Sequence, residues 1–166
     1  MTACATETGI CLLEFSDRDS LEDEIQKLSD ELGCNKSKEE NQHLLNAKTE
    51  LEEYFEEKRT TFAVPIHLHG TSFQKRVWNE LQNIPYGKTR TYSEQSINLG
   101  DVKAIRAVAN ANGANRIAIL IPCHRIIGSN GDLTGYRGGI HRKKILLQLE
   151  QNQSSKVGLN LDLFES

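Results

Sequence analysis

A proline, a cysteine, a histidine and an arginine interrupt an apolar stretch in the second half of the chain, in the run AILIPCHRII. Free cysteine is a common core residue, so simple burial is one interpretation of Cys123. Its neighbours favour another, because Pro122 turns the backbone while His124 and Arg125 place cationic donors beside the thiol. Such donors lower the pKa of a thiol and make it a nucleophile. The run therefore predicts a reactive cysteine but does not identify its substrate.

The other cysteines, Cys4, Cys11 and Cys34, form no C-x-x-C pair. Cys4 and Cys11 could combine with His67 and His69 as zinc ligands, but no compact ligand spacing supports such a site. We therefore expect no metal, and an intracellular setting argues against disulfides.

Three helices are predicted before the reactive run. The first, FQKRVWNELQNI, has Ser72 as its cap, and a short second helix opens at Thr91 or Ser93. After a tight break at Gly100-Asp101, a third helix runs through VKAIRAVANAN to Gly113. A short helix, a tight turn and a basic helix rich in small residues form the pattern of a helix-turn-helix. We expect AILIPCHRII to follow as a strand-like run, and a last helix over about 141–150.

The front of the chain predicts a modest α/β section. Residues 8–16, TGICLLEFS, favour a strand, and LEDEIQKLSDEL favours a helix capped by Ser20 and ended by Gly33. A second helix is expected over about 42–57, and TTFAVPIHLHG is a connector with one extended segment. We therefore expect an α/β domain at 1–70, a mainly helical domain at 71–150 and a peripheral tail at 151–166.

Charge is divided unequally along the chain. The net charge is −3, yet residues 1–62 carry 7 Lys and Arg against 16 Asp and Glu, and residues 75–144 carry 12 against 4. Two surfaces that happen to differ would explain this, but an acidic section joined to a basic, polyanion-facing section explains it more specifically.

Composition places the chain among globular proteins, because 37% of it is hydrophobic and 26% is charged. No apolar run approaches the roughly 18 residues that span a bilayer, and MTACATETG lacks the basic and apolar regions of a secretory signal. We therefore expect a cytoplasmic protein, associated with the nucleoid if it is bacterial, that does not bind membranes.

Several motifs together resemble the O6-alkylguanine-DNA alkyltransferases. IPCHRII, with the Asn of AN-R before it and G-x-L-x-GYRGG after it, is similar to the active-site signature of that family. FQKRVWNELQNIPYGKTRTYSEQ, KAIRAVANANGAN and HRKKILLQLE resemble the family in the same order. The resemblance covers about Thr71 to Glu150 and is weaker in front, where the family has another strand before CATETGICLLEF. We therefore expect the front domain to lack its start, as in the repair half of a longer fused regulator.

The resemblance implies a role for each catalytic residue. Cys123 would accept the alkyl group, and His124 would act through a water as the base that removes the thiol proton. Glu150 matches the acid that polarises this histidine, although a solvated acid at a helix end is the simpler alternative. Asn115 matches the asparagine that braces the turn before the nucleophile, and capping its own helix is the alternative. Tyr92 matches the tyrosine that hydrogen-bonds the guanine, unless it only packs.

The resemblance also implies how DNA would be bound. The damaged base must leave the duplex, and Arg106 matches the arginine that fills the gap, the alternative being a phosphate contact. The thin helix face expected from three alanines would enter the minor groove, and Arg90 belongs to the basic surface. The remaining purine contacts would come from the backbone around Ile126 and from a glycine-rich loop. The three alanines are Ala104, Ala107 and Ala109. The loop residues are Tyr136 and Arg137.

The implied reaction transfers an alkyl group, typically methyl, from O6-alkylguanine in double-stranded DNA, and from O4-alkylthymine, to Cys123. It needs no cofactor and stops after one turnover, and the protein would act as a monomer.

Ala118 and Arg137 depart from relatives and bear on pocket width. Three alternatives are a binding module without transfer, which would have Trp at position 123, a helix-turn-helix transcription regulator, and a cysteine hydrolase.

Overall fold

A computed structural model describes residues 1–39 and 41–151, so the expected tail at 151–166 lies outside the described residues except for Gln151. The predicted combination of a small α/β part with a mainly helical part that carries the cysteine is confirmed. No helix in these ranges is long and apolar enough to cross a membrane. The elements are β1 Thr2–Thr6, β2 Gly9–Glu14, α1 Leu21–Leu32, α2 Gln42–Phe55, α3 Ser72–Leu81, β3 Arg90–Thr91, α4 Tyr92–Asn98, α5 Ile105–Gly113, β4 Ile126–Ile127 and α6 Ile140–Gln151.

The front part is built on an antiparallel hairpin of β1 and β2. The predicted strand is β2, and β1 was not predicted because TACAT has little apolar content. Every residue of β2 is buried, since Ile10 and Leu13 enter the main core while Cys11 and Leu12 pack under α1. The β2 strand is thereby covered on both faces, which explains its continuous burial, whereas every residue of β1 is half-buried.

Both front helices form close to the predicted ranges. Gly33 ends α1 in the left-handed region, with φ 64°, where a residue with a Cβ is disfavoured. Ser20 precedes α1 but makes no side-chain capping hydrogen bond. The Asn41 side chain caps α2 by accepting a hydrogen bond from the His43 N–H, and α2 ends at Phe55, two residues before the expected end.

The helix-turn-helix consists of α4 and α5, both of which pack beside α3. Its angle is fixed by two buried amides, because the Asn112 side chain donates to Gln95 Oε1 at 2.7 Å. The expected helix through Val102 is too long at its start. Asp101 Oδ1 accepts the backbone N–H of Lys103 at 2.9 Å, which holds residues 101–104 as a turn, so α5 begins at Ile105.

The apolar run before the cysteine is buried, but the expected strand there is wrong. Only Ile117 bridges to Leu13 of β2, and the chain then turns, with Ile119 at φ 68°. Residues Cys123–Arg125 form one turn of 3₁₀ helix, and β4 follows as a two-residue parallel partner of β3. The apolar composition of this run indicates burial and not a strand. Pro122 has no backbone N–H and Ile119 is in the left-handed region, so the run does not form the hydrogen-bond ladder of a strand.

Candidate active site

Asn115 connects the end of the helix-turn-helix to the cysteine. Its side chain is 2% exposed, and its Oδ1 accepts the N–H of Ile117 at 3.0 Å. The amide nitrogen donates to the Ile121 carbonyl at 3.0 Å and approaches Cys123 Sγ at 3.2 Å. One side chain therefore closes the turn and holds the sulfur in place, which is more than local helix capping.

The thiol of Cys123 lies at the start of the 3₁₀ turn and is 6% exposed. Burial raises its pKa to about 11, against the lowering effects of the Asn115 hydrogen bond and the Lys143 charge. The expectation that His124 and Arg125 lower the pKa of this thiol is wrong. Both side chains bond to Glu150 instead, so they are adjacent in sequence without being partners of the sulfur.

His124 forms a buried pair with the carboxylate of Glu150, at 2.8 Å from Nε2 to Oε1, and neither side chain is exposed. Burial lowers the pKa of His124 below its usual value, against the opposing effect of Glu150. A neutral imidazole that donates through Nε2 carries no proton on Nδ1. In the described part of the chain this Nδ1 is buried and has no hydrogen-bond partner, so it is available as a base.

Glu150 collects further donors from distant parts of the chain. The Arg125 guanidinium donates to both carboxylate oxygens, Tyr54 of α2 donates its hydroxyl at 2.7 Å, and the backbone N–H of Gly87 donates at 3.1 Å. Burial favours the neutral carboxyl, yet hydrogen bonds from His124 and Arg125 outweigh it and hold the pKa of Glu150 at about 2. Glu150 is therefore an ionised hub and not a solvated acid at a helix end.

Lys143 of α6 is a buried amine that sequence reasoning missed. It is 0% exposed, and its Nζ donates to the Thr134 carbonyl at 2.6 Å. Burial lowers the pKa of Lys143 to about 8, against the raising effect of Cys123. Its positive charge therefore favours the thiolate. Tyr54 was also missed, and no sequence signal pointed to it. Arg125 was expected to act on the thiol, whereas it pairs with Glu150.

The loop between β4 and α6 covers the site. Tyr92 donates its hydroxyl to the Thr134 and Gly135 carbonyls, both at 3.2 Å. Gly135 has φ 53°, and a Cβ there would lie 2.9 Å from the Tyr92 oxygen, so glycine permits this approach. The Tyr136 ring meets His124 edge-on, with centroids 6.4 Å apart, and its hydroxyl is buried without a hydrogen-bond partner among the described residues.

The side chains of Arg137 and Ile126 both point away from the space under this loop. The Arg137 guanidinium turns away to the front section, where it pairs with Glu14 at 2.7 Å and with Glu24. The expected purine contact through this side chain would require these pairs to break. Ile126 is fully buried in β4 directly after the 3₁₀ turn, so only its backbone is placed to meet a ligand.

The expected DNA-facing residues are only partly brought together. Arg106 and Ala107 are exposed on α5, whereas Ala104 and Ala109 are half-buried, and Ala104 precedes the helix. The three alanines therefore do not share one open face. The guanidinium of Arg90 is paired with Glu80.

The candidate zinc ligands of the sequence do not converge. Within the described ranges, no group of three or more His, Cys, Asp or Glu side chains is placed to hold a metal ion. His67 Nδ1 instead bonds the Thr6 hydroxyl at 2.8 Å, and His69 pairs with Glu31. The arrangement around Cys123 therefore supports thiol chemistry: a buried sulfur, a neutral base on the next residue, and an ionised carboxylate that orients the base.

Comparison with known proteins gives consistent matches over both parts. Residues 72–152 match the model of the 6-O-methylguanine DNA methyltransferase DNA-binding domain, and residues 1–68 match the ribonuclease-like domain of the same family. A methylated-DNA–protein-cysteine methyltransferase of Mycobacterium bovis is 50% identical over 119 residues, which cover 72% of this chain and 70% of the relative.

Solved structures agree with these matches. A Mycobacterium tuberculosis O6-methylguanine methyltransferase is similar with a TM-score of 0.74 and 35% identity, over 93% of each chain. A Mycobacterium tuberculosis structure in complex with DNA is similar with a TM-score of 0.63 and 53% identity, over 64% of this chain and 65% of that one.

Proposed function

The chain belongs to the 6-O-methylguanine DNA methyltransferase family, and from this we propose that Cys123 is its alkyl acceptor. Its activity is DNA repair by alkyl transfer, and its partner is DNA. The observation that carries the assignment is the buried thiol held by Asn115 beside the His124–Glu150 pair. The substrate is an alkyl group on O6 of guanine, and also on O4 of thymine.

The proton of Cys123 moves through a water to Nδ1 of His124. Glu150 keeps Nε2 protonated, so Nδ1 is the only nitrogen of this ring that can accept. The resulting imidazolium is stabilised by the ionised carboxylate, as in other nucleophile–histidine–acid relays. A thiol with a pKa of about 11 is almost fully protonated near neutral pH, so it depends on this transfer.

The thiolate attacks the alkyl carbon in line. A carbon–sulfur bond forms, the bond from that carbon to O6 breaks, and its electron pair leaves with guanine, which Tyr92 or a water protonates. The product is a thioether without an accessible leaving group, so each molecule reacts once and no cofactor is required.

The base reaches the thiol by leaving the duplex. Arg106 fills the gap in the stack, and α5 approaches from the minor groove, with Ala107 on its open face. Tyr92, Tyr136, the backbone of Ile126 and the loop that carries Arg137 surround the purine.

The α/β domain at 1–70 supports the DNA-binding alkyltransferase domain at 71–150, and the protein acts as a cytoplasmic monomer.

Intact and peptide mass spectrometry test the proposal. Incubation with a duplex that contains O6-methylguanine is expected to add about 14 Da, one methylene, to the Cys123 peptide alone. Cys123→Ala is expected to abolish transfer and to keep lesion binding. A label on Cys4, Cys11 or Cys34, or several turnovers per molecule, would contradict the assignment.

A further inference from the structure

The hydroxyl of Tyr54 shares its acceptor with the imidazole of His124. It donates to Oε1 of Glu150 at 2.7 Å, and His124 Nε2 lies 2.8 Å from the same oxygen. Tyr54 is 0% exposed and belongs to α2 of the front section, whereas Glu150 stands near the end of α6. The front section therefore reaches the carboxylate oxygen that orients the proposed base.

The phenol of Tyr54 is held in one place and in one protonation state. Its ring centroid lies 5.3 Å from that of Phe55, 5.3 Å from that of Phe62 and 5.9 Å from that of Tyr86. Burial, followed by the charge of Glu150, raises the pKa of Tyr54 well above its usual value. The hydroxyl therefore keeps its proton and acts as a donor throughout the neutral pH range.

A donor on Oε1 changes the effect of Glu150 on His124. Burial lowers the pKa of His124, while the hydrogen bond and the charge of Glu150 raise it. Each donor on a carboxylate oxygen disperses part of the negative charge, so that oxygen attracts another proton less strongly. The Tyr54 hydroxyl therefore weakens the effect of Glu150 on the imidazole and favours its neutral form, which is the form that accepts a proton.

Other titratable side chains also face the pair of His124 and Glu150, and none of them replaces Tyr54. Two are cations, whose charges lower the pKa of His124, and two are phenols that do not bond Glu150. The cations are Arg125 and Lys143, and the phenols are Tyr86 and Tyr136. Among the described residues, Tyr54 is therefore the one neutral side chain besides His124 that donates to this carboxylate. Its hydroxyl can be removed without changing the charge of the site.

Resting on the proposed function, we propose that Tyr54 is a positioning residue of the alkyl transfer, whose hydroxyl holds Oε1 of Glu150 and weakens its attraction for the imidazole, so that His124 rests as a neutral base. The hydroxyl acts through Glu150 and contacts neither the thiol nor the purine. Its contribution belongs to the proton transfer and therefore depends on pH. A side chain that only tied α2 to α6 would affect the reaction equally at every pH.

The titration of His124 tests this role directly. Tyr54→Phe removes the hydroxyl and keeps the ring, so His124, followed by NMR, is expected to titrate at higher pH. In single-turnover reaction with the free base O6-benzylguanine, DNA binding plays no part. The rate on the acidic side of the pH profile is expected to fall about fivefold, because less of the imidazole is neutral there. The rate on the plateau is not expected to fall, since a more basic imidazole accepts the thiol proton at least as readily.

Two further proteins control for loss of packing. Tyr86→Phe removes a hydroxyl from the same aromatic cluster, but this hydroxyl donates to the Leu149 carbonyl at 3.4 Å, so the titration of His124 is expected to stay unchanged. A ring-fluorinated tyrosine at position 54 is a stronger donor of nearly the same size, so His124 is expected to titrate at lower pH than in the unmodified protein. Thermal unfolding shows whether each variant is folded, and the fluorinated protein carries the test if Tyr54→Phe does not fold.

An unchanged titration of His124 in folded Tyr54→Phe, with one common loss of rate at every pH, would assign Tyr54 to packing alone and overturn the proposal. An equal displacement of the titration in Tyr86→Phe, or none with the fluorinated tyrosine, would overturn it too. Alkylation of Cys123 in the unmodified protein is followed separately by mass. If that alkylation failed, the proposed function would fall, whereas the titration would still decide whether Tyr54 controls His124.

Discussion

Burial protects the thiol of Cys123 and also makes it a poor nucleophile in the resting protein. With a pKa of about 11, the sulfur is almost wholly neutral near pH 7. Reactivity must therefore come from groups that receive the proton or favour the anion, namely His124 and the ammonium of Lys143. Lys143 can act in this way only while it is charged, which is the state favoured below its own pKa of about 8.

Lys143→Met is expected to slow alkylation of Cys123 by a small reagent such as iodoacetamide. The ammonium lowers the pKa of the thiol, so its removal raises that pKa and reduces the thiolate fraction, by about tenfold for one pKa unit. The difference should be full below about pH 8 and disappear as Lys143 of the unmodified protein loses its proton at higher pH.

Mass spectrometry of the Cys123 peptide from pH 6.5 to 9.5 measures these rates. Lys144→Met is the control, since Lys144 is the exposed neighbour on α6. Parallel pH profiles for Lys143→Met and the unmodified protein would show that Lys143 only packs.

Sequence motifs predicted that Cys123, His124, Glu150 and Asn115 belong to the site. They did not predict which side chains pair with each other or how burial shifts the pKa of the thiol. Proximity in sequence suggested that His124 lowers the pKa of the thiol, whereas a 3₁₀ turn sends consecutive side chains to different partners. The spacing of Lys143 was informative. It stands three and four residues before Leu146 and Leu147 and seven before Glu150, which places all four on the buried face of α6.

At the scale of elements, caps determine where the helices begin. Thr71 caps α3 through a reciprocal pair of hydrogen bonds with Gln74, and Ser72 is already inside the helix. Thr71→Ala is expected to lower the free energy of unfolding by about 1 kcal/mol, because an N-terminal N–H loses its acceptor. Ser72→Ala should change it little. Urea unfolding followed by circular dichroism compares the two variants. Equal losses in the free energy of unfolding would indicate that Ser72 also acts as a cap.

The α5 helix is expected to act on the duplex and not on the thiol. Arg106→Ala should slow transfer from duplex DNA far more than reaction with the free base O6-benzylguanine, because only the duplex has a stack to leave, at a cost of a few kcal/mol. Single-turnover rates on both substrates make the comparison. An equal loss on both would assign Arg106 a structural role.

Periodicity predicted the helices within a few residues, since their apolar stripes are long. It failed between Ile117 and Ile121, because a buried turn and a buried strand have the same composition. The boundary of α5 depended on one side chain, Asp101, whose hydrogen bond to the backbone has no periodic signature.

For the whole molecule, several acidic residues of the front section form ion pairs with basic residues of the second section. Glu14 pairs with Arg137, Glu31 pairs with Arg116, and Asp17 pairs with Arg142. Charge counts predicted the asymmetry along the chain, but they could not show which acids are paired with basic groups of the other section.

Salt dependence of DNA binding tests whether basic and acidic residues of the surface lie at different distances from the DNA. Neutralising Lys75, Arg76 and Lys88 should flatten the slope of log affinity against log salt, by up to about 0.9 for each phosphate that is no longer neutralised. Neutralising Glu39, Glu56 and Glu57 should leave it nearly unchanged, because like charge is kept away from phosphate. Fluorescence anisotropy from 50 to 300 mM salt, roughly the useful range, compares the two sets. If both sets changed the salt slope to a similar extent, the chain would not be divided into an acidic section and a DNA-facing section.

The carboxylate of Glu150 accepts hydrogen bonds from the Tyr54 hydroxyl of α2, from the backbone N–H of Gly87 and from the side chains of His124 and Arg125. The most distant of these donors, Tyr54, stands 96 residues from Glu150 in the sequence. Loosening any one of them leaves an ionised group without one of its partners in a water-poor interior. Competence for repair is therefore a cooperative property of the entire fold, and a partly melted molecule keeps its thiol but loses the oriented base.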